Sequence, residues 1–389
     1  MPLIQQGLSD NWSQVRYASS LCARSFYAAA GEDSTLRDKY DGMLVPRMCL
    51  NRYYVAEGVR VYSNDTWRQC FGEQGKQLVC KYADEVAAFY ISQSEADNHA
   101  VREAACACIS ELCSKVAGVD EASKEPFRKH ITNLLDALVD CFKDESWPVR
   151  DAACVACGAF VATFPEESQP KYEELCKLWI DHLSDNIFSV RWHSAAALAR
   201  VYAQADMYRD DLLGRIAQYC DEHILKAKEQ KSQSESFAGL SNETQFGVAK
   251  GVHKHQHDTA HENATMYSCG SLAPKLKRGG GCMDHGFSRA TEPWEHSDGC
   301  IYVFRELAKA RNQSDPKVVS KAIDLFVKHA MSLADLGFVD HFKHSASMKE
   351  NLFKTMREIV SPEGIGKKKF RSFVEIFLDP AFRNVNHNS

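Results

Sequence analysis

The amino-acid sequence predicts an all-α fold, an elongated α-solenoid built from repeated helical pairs. Three observations predict it. An acidic turn followed by an arginine and a helix of small apolar residues is written four times, at Asp10–Arg16, Asp97–Arg102, Asp144–Arg150 and Asp185–Arg191. With a fifth copy at Gly58-Val59-Arg60, the arginines recur at 44, 42, 48 and 41 residues, the period of two-helix repeats. In the clearest copy Val149, Ala152, Ala153, Ala156, Cys157, Phe160 and Val161 fall on one stripe of a 3.6-residue helix. One such pair cannot bury its stripe alone, so the units must stack.

Each unit needs a first helix before its turn. The first has only Leu3 to Leu8, which predicts a frayed start, another chain covering that end, or the tail of a longer protein. The third spans Gln77–Ser92, with Leu78, Val79, Tyr82, Val86, Phe89 and Tyr90 on its stripe. The fourth spans Phe127–Phe142 and the fifth Tyr172–Leu183, with Pro126 and Pro170 just before them, as first-turn prolines stand.

The acidic turn, the Val-Arg pair and the small-residue helix, taken together over about residues 1–225, resemble the HEAT repeats of the armadillo-like helical class. The resemblance implies a right-handed solenoid. It also implies that Asp10, Asp97, Asp144 and Asp185 bond along the array with Arg16, Arg60, Arg102, Arg150 and Arg191. Asp at a helix start also caps orphan amides, so these residues are expected to be structural. His193 takes the stripe position that Ala152 holds one unit earlier, and is expected to be buried and hydrogen-bonded.

After about Leu225 the register is lost. A first domain of HEAT-like repeats is therefore assigned to 1–228, a linker and irregular insertion to 229–299, and a helical C-terminal part to 300–389. The insertion carries Gly279-Gly280-Gly281, a histidine-rich run from His253 to His257, and the apolar residues Met266, Tyr267, Leu272, Met283, Phe287 and Trp294. It is expected to be ordered, mostly irregular, and laid along the concave face. Beyond it, helices are expected at Tyr302–Ala310, Lys317–Leu333, Ala346–Ile359 and Lys369–Phe377.

Composition narrows the function classes. Over 389 residues the net charge is -5 and the pI about 6.3, so no basic excess points to nucleic acid or anionic lipid. No apolar run approaches the ~18 residues that span a bilayer, and the first residues lack a basic-then-apolar signal, so a cytoplasmic and even cytoskeleton-associated location is expected. Most of the 15 cysteines, such as Cys22, Cys106, Cys108, Cys113, Cys154 and Cys157, alternate with Ala inside helical stripes, the usage of reduced, buried thiols. Cys154-x-x-Cys157 lies in such a stripe and not at a helix start, so it is not read as a redox pair.

Cys282-x-x-His285 and His296-x3-Cys300 have the paired spacings of zinc ligands, with Cys269 as a fifth candidate, although Cys300 is expected to open a helix that buries it instead. No metal or other cofactor is expected to be required. No catalytic residues are assigned: His261-Glu262 is a single His-Glu pair where di-iron arrays repeat it, and no phosphate loop is present. The expected role is a non-enzymatic scaffold that binds protein partners through its turns and concave face. Trp12, His99, Trp147 and Phe188, large groups on the turns, are the candidate contacts. A tubulin-binding array would also place aromatics there, but acidic turns facing acidic tubulin would repel it.

Overall fold

The structure is a computed structural model. It describes residues 1–31, 33–225, 291, 293–310 and 346–360, with isolated positions 324, 325, 329, 371 and 378. The described residues form no strand, and the fold is the all-α solenoid of helical pairs that the repeats predict. Two compact units divide the chain, one within Met1–Leu175 and one from Cys176 onward.

The first unit begins with α1 (Pro2–Leu8) and α2 (Ser13–Ala30). Gly7 lets them approach: a Cβ there would stand 1.9 Å from Ser19 Oγ. The second pair is α3 (Ser34–Asn51), capped by Asp33 accepting from the Leu36 amide, and α4 (Glu57–Cys70). The third first-helix, expected as one element over Gln77–Ser92, is two: α5 (Gly75–Lys81) and α6 (Ala83–Ser94), separated at Tyr82 with φ -108° and ψ 37°. At the break, Lys81 Nζ and Tyr82 Oη both reach the Asp38 carboxylate on α3, at 2.5 and 3.3 Å. Tertiary anchoring thus overrides a continuous helical stripe.

The unit continues with α7 (His99–Glu111), which runs on into a π turn, and the single turn α8 (Glu121–Lys124). The fourth pair is α9 (Ile131–Phe142) and α10 (Trp147–Thr163). On α9, Ile131, Leu134, Leu135, Leu138 and Val139 are all buried, as their spacing predicts. Of the α10 stripe, Val149, Ala153, Ala156, Cys157, Phe160 and Val161 are buried, and α10 packs along both α7 and α9. The division between the units falls inside α11 (Gln169–His182).

The second unit contains α12 (Phe188–Gln204), α13 (Arg209–Cys220) with a closing π turn, α14 (Pro293–Ala310) and α15 (Ala346–Val360). Helix α14 corrects the expected boundaries: the stretch up to 299 was expected to be irregular, but the helix starts at Pro293. Proline suits a first turn, where its missing N–H has no intrahelical role, and Glu295 follows in the same turn. α14 packs between α12 and α15. Gly299 permits this, since a Cβ there would meet the Leu183 carbonyl oxygen at 1.9 Å. The insertion up to 290, including Cys269, Cys282 and His285, lies outside the described residues. So do most of the helices expected at Lys317–Leu333 and Lys369–Phe377. No helix among the described residues is long and apolar enough to cross a membrane.

Candidate functional site

The turns are organised by their arginines. Arg16 donates to the Leu8 and Asp10 carbonyls, Arg102 to those of Ala96 and Asp97, Arg150 to those of Asp144 and Glu145, and Arg191 to that of Asp185. The aspartates close the same turns from the other side. Asp10, Asp144 and Asp185 each accept a backbone N–H two residues ahead, at 2.8 Å. In the third unit Asn98 takes this role, accepting from Ala100 at 3.0 Å. Asp97 was the expected residue, but its side chain is exposed and only its carbonyl is used.

Arg16, Arg102 and Arg191 also reach a later element, and what they find there varies. Arg102 meets Asp144 in a buried bidentate pair, at 2.7 and 2.9 Å. Arg191 meets Asp298 on α14 at 2.9 Å, with Glu295 at 3.6 Å and the Trp294 ring beneath it at 5.2 Å. Asn351 of α15 donates to the other Asp298 oxygen at 3.0 Å. Arg16 finds no carboxylate: it donates to Asn51 Oδ1 at 2.6 Å and lies 4.2 Å from the Tyr54 ring. Burial pushes its pKa down, and Nη2 has no acceptor.

Arg60 corrects the expected pattern, since it is exposed rather than locked. The sequence contains the reason. Asp144 stands six residues before Arg150; the same position before Arg60 is Tyr54, and before Arg102 it is Ala96. Arg16 and Arg102 use that position in the next unit, so Arg16 meets a ring and Arg102 a carboxylate, while the equivalent position after Arg60 is Ala96, which has neither.

The four candidate contact residues are not equivalent. His99, Trp147 and Phe188 open α7, α10 and α12 and are half-buried, while Trp12 is the N-cap of α2 and is 47% exposed. Trp12 lines an open cleft of about 520 Å³ with Gln5, Gln6, Ser9, Asp10, Asn11 and Arg47. On the same helical pair Leu3, Val15 and Leu21 are also exposed, Leu3 at 82%. Among the described residues the exposed large apolar side chains concentrate on the first two pairs. Sequence reasoning missed Leu3, Val15 and Leu21. The available signal was that α2 carries apolar residues on two faces rather than one stripe.

The described metal candidates are occupied otherwise. His296 Nδ1 is 2.9 Å from Tyr219 Oη, and its ring stacks on His223 at 4.0 Å and 9°. Burial, reinforced by His223, pushes the His296 pKa down to about 4. Cys300 is fully buried against Cys220, and burial raises its thiol pKa well above the usual range. No group of three or more His, Cys, Asp or Glu among the described residues is arranged to hold a metal ion. His193 is half-buried and stacks on Trp192 at 5.1 Å.

A family model described as HEAT repeat matches residues 134–164, the α9–α10 pair. The HEAT-repeat character read from the sequence is thus supported. No curated protein matches the chain. Among solved structures it is similar to a chain of the structure in which Kap95p binding switches the loops of RanGDP, at 13% identity and a TM-score of 0.39, covering 99% of this chain and 45% of that one. It is also similar to importin beta in an ammonium sulfate condition, at 11% identity and a TM-score of 0.30, covering 99% and 53%. The chain spans about half the length of these structures, and likenesses this distant carry no argument about function.

Proposed function

We propose that this chain is a non-enzymatic scaffold that binds protein partners, with its principal contact surface on the first helical pair around Trp12. The observation that supports this is the exposed Trp12 lining an open cleft with Asp10 and Arg47, on a helical pair that also exposes Leu3, Val15 and Leu21. A large apolar side chain lining a cleft rimmed by polar groups forms the kind of anchor that binding surfaces use. The buried thiols suit a structural role: burial raises the pKa of Cys108 and Cys157, so they stay protonated and poorly nucleophilic.

The test is photo-cross-linking in cells with benzoylphenylalanine at position 12, and at Val119 as an equally exposed control, followed by recovery of the partner on W12A. A discrete adduct at 12 and not at 119, with partner recovery on W12A cut by about tenfold, is the expected result. Equal adducts at both positions, or full recovery on W12A, would overturn the reading.

A further inference from the structure

The cleft beside Trp12 lies between two successive helical pairs: α1 and the turn after it supply one side, and Arg47 of α3 the other. Arg47 is held from behind and open in front. Its Nη1 donates to the Met43 carbonyl at 2.7 Å, one turn back on the same helix, and its guanidinium lies 4.6 Å from the Phe89 ring of α6. That leaves the edge formed by Nε and Nη2, one of the edges with which a guanidinium takes a carboxylate through two parallel bonds. Nε is buried and has no acceptor. Arg24 and Arg52, half-buried in the same unit, meet Asp65 and Glu111 at 2.9 and 2.8 Å. Arg47 is half-buried too, but meets no carboxylate among the described residues. Asp10 lines the same cleft, yet its charge acts on Arg16. Burial lowers the Arg47 pKa, and no acid offsets it. A partly desolvated cation of this kind is short of a counter-charge.

The rest of the lining indicates what brings that acid. Ser9 Oγ is also buried without a partner, and Gln5, Gln6 and Asn11 add amides that both donate and accept. Such groups match the N–H and C=O of an extended main chain, and the Trp12 ring offers a surface to an adjacent apolar side chain. Charge selects among anions. The cleft holds one guanidinium and one carboxylate, so a dianionic phosphate would meet a single cation and the repulsion of Asp10, whereas a singly charged acid is matched. A nucleic-acid strand would bring several phosphates to that one cation. The cleft is open, so a chain can pass through it.

We infer that the cleft between α1 and α3 takes an extended segment of a partner protein, whose Asp or Glu side chain pairs with Arg47 while a neighbouring apolar side chain lies on Trp12. The inference rests on the protein-binding reading above and specifies which part of the partner enters the site.

The experiment selects a random peptide library displayed on phage against the full chain, then titrates the selected peptide as a synthetic probe. The expected consensus carries Asp or Glu beside an apolar residue. Exchanging that acid for its amide should weaken binding to the wild-type chain about tenfold, and R47M should weaken binding of the acidic peptide by a similar factor. On R47M the acid and amide peptides should bind alike. The acid-to-amide comparison on the wild-type chain alters no residue of the protein, so it decides the matter even if R47M is unstable. No enriched sequence, a consensus without an acid, tighter binding of a phosphoserine version, or an amide peptide that binds as well as the acid would each overturn the inference. If W12A loses peptide binding while the acid-to-amide exchange has no effect, the protein-binding reading survives and this inference fails. If W12A also binds undiminished, both fail.

Discussion

Arg16 and Arg102 sit in equivalent turns of the same compact unit, and both donate to their own turn carbonyls. They differ in what the next unit offers. Arg102 has a bidentate carboxylate in Asp144, whereas Arg16 has a neutral amide in Asn51 and the face of Tyr54. The conserved part of the architecture is thus the slot and not the ion pair. A cation buried without a carboxylate must be held by dipoles and a ring, which is a weaker arrangement. The first pair, which is joined onward by this weaker link, is also the pair with an uncovered outer face. The second unit shows how far the slot can stretch: Asp298, separated from Arg191 by the whole insertion, does the work of Asp144 from within a helix rather than from a turn.

The largest expected effect is at that stretched link. E295A/D298A leaves Arg191 buried with no carboxylate, and should destabilise the second unit by about 5 kcal/mol or more, read as loss of hydrogen-exchange protection in α12 and α14. D144A removes the one carboxylate Arg102 meets in a buried pair and should cost about 3–5 kcal/mol in urea unfolding of the first unit. Persistence of either unit at wild-type stability would show that the carbonyl bonds alone hold the arginine.

The two units should also respond oppositely to pH. Glu103, on α7, is half-buried near Asp151, and its desolvation raises its pKa from an ordinary 4.5 to about 7. Its contribution to stability is therefore fully present below 4.5 and is lost as pH rises through 7. The His296 pKa is lowered from 6.5 to about 4, so its contribution is present above 6.5 and is lost as pH falls towards 4. Hydrogen exchange resolved by unit should show the first unit loosening towards alkaline pH and the second towards acid, and E103Q should flatten the first trend. The smallest effect is R60A. Because Arg60 is exposed, its replacement should change stability by no more than about 0.5 kcal/mol, measured by urea unfolding.

Much of the fold was legible because it repeats. The Val149–Val161 stripe, the Ile131–Val139 stripe and the Asp-to-amide turns follow from local periodicity and capping, which need no knowledge of distant contacts. What was not legible depended on long-range partners. Tyr82 breaks a continuous stripe where it and Lys81 meet Asp38, forty-odd residues earlier in the chain. The start of α14 was hidden because Glu295 and Asp298 look like polar insertion residues until Arg191 is placed against them. Arg60 looked like its relatives because it keeps the Val-Arg pair and the repeat spacing, although its turn lacks the aspartate. At the site, Trp12 was found as a turn aromatic, but the exposure of Leu3, Val15 and Leu21 on the same pair was not, because apolar residues on two faces of α2 do not say which face is covered.

The central claim is that one helix face, closed in every later unit, is open in the first. Residue-resolved alkylation of the native protein tests it most directly, because equivalent positions on α2 and α7 both carry cysteine: Cys22 is exposed and Cys108 is buried. Cys22 should react with maleimide under native conditions at the rate of an accessible thiol. Cys108 should react only as fast as the first unit unfolds. A Cys22 as slow as Cys108 in the purified chain would contradict the account, since it would mean that the face is already covered.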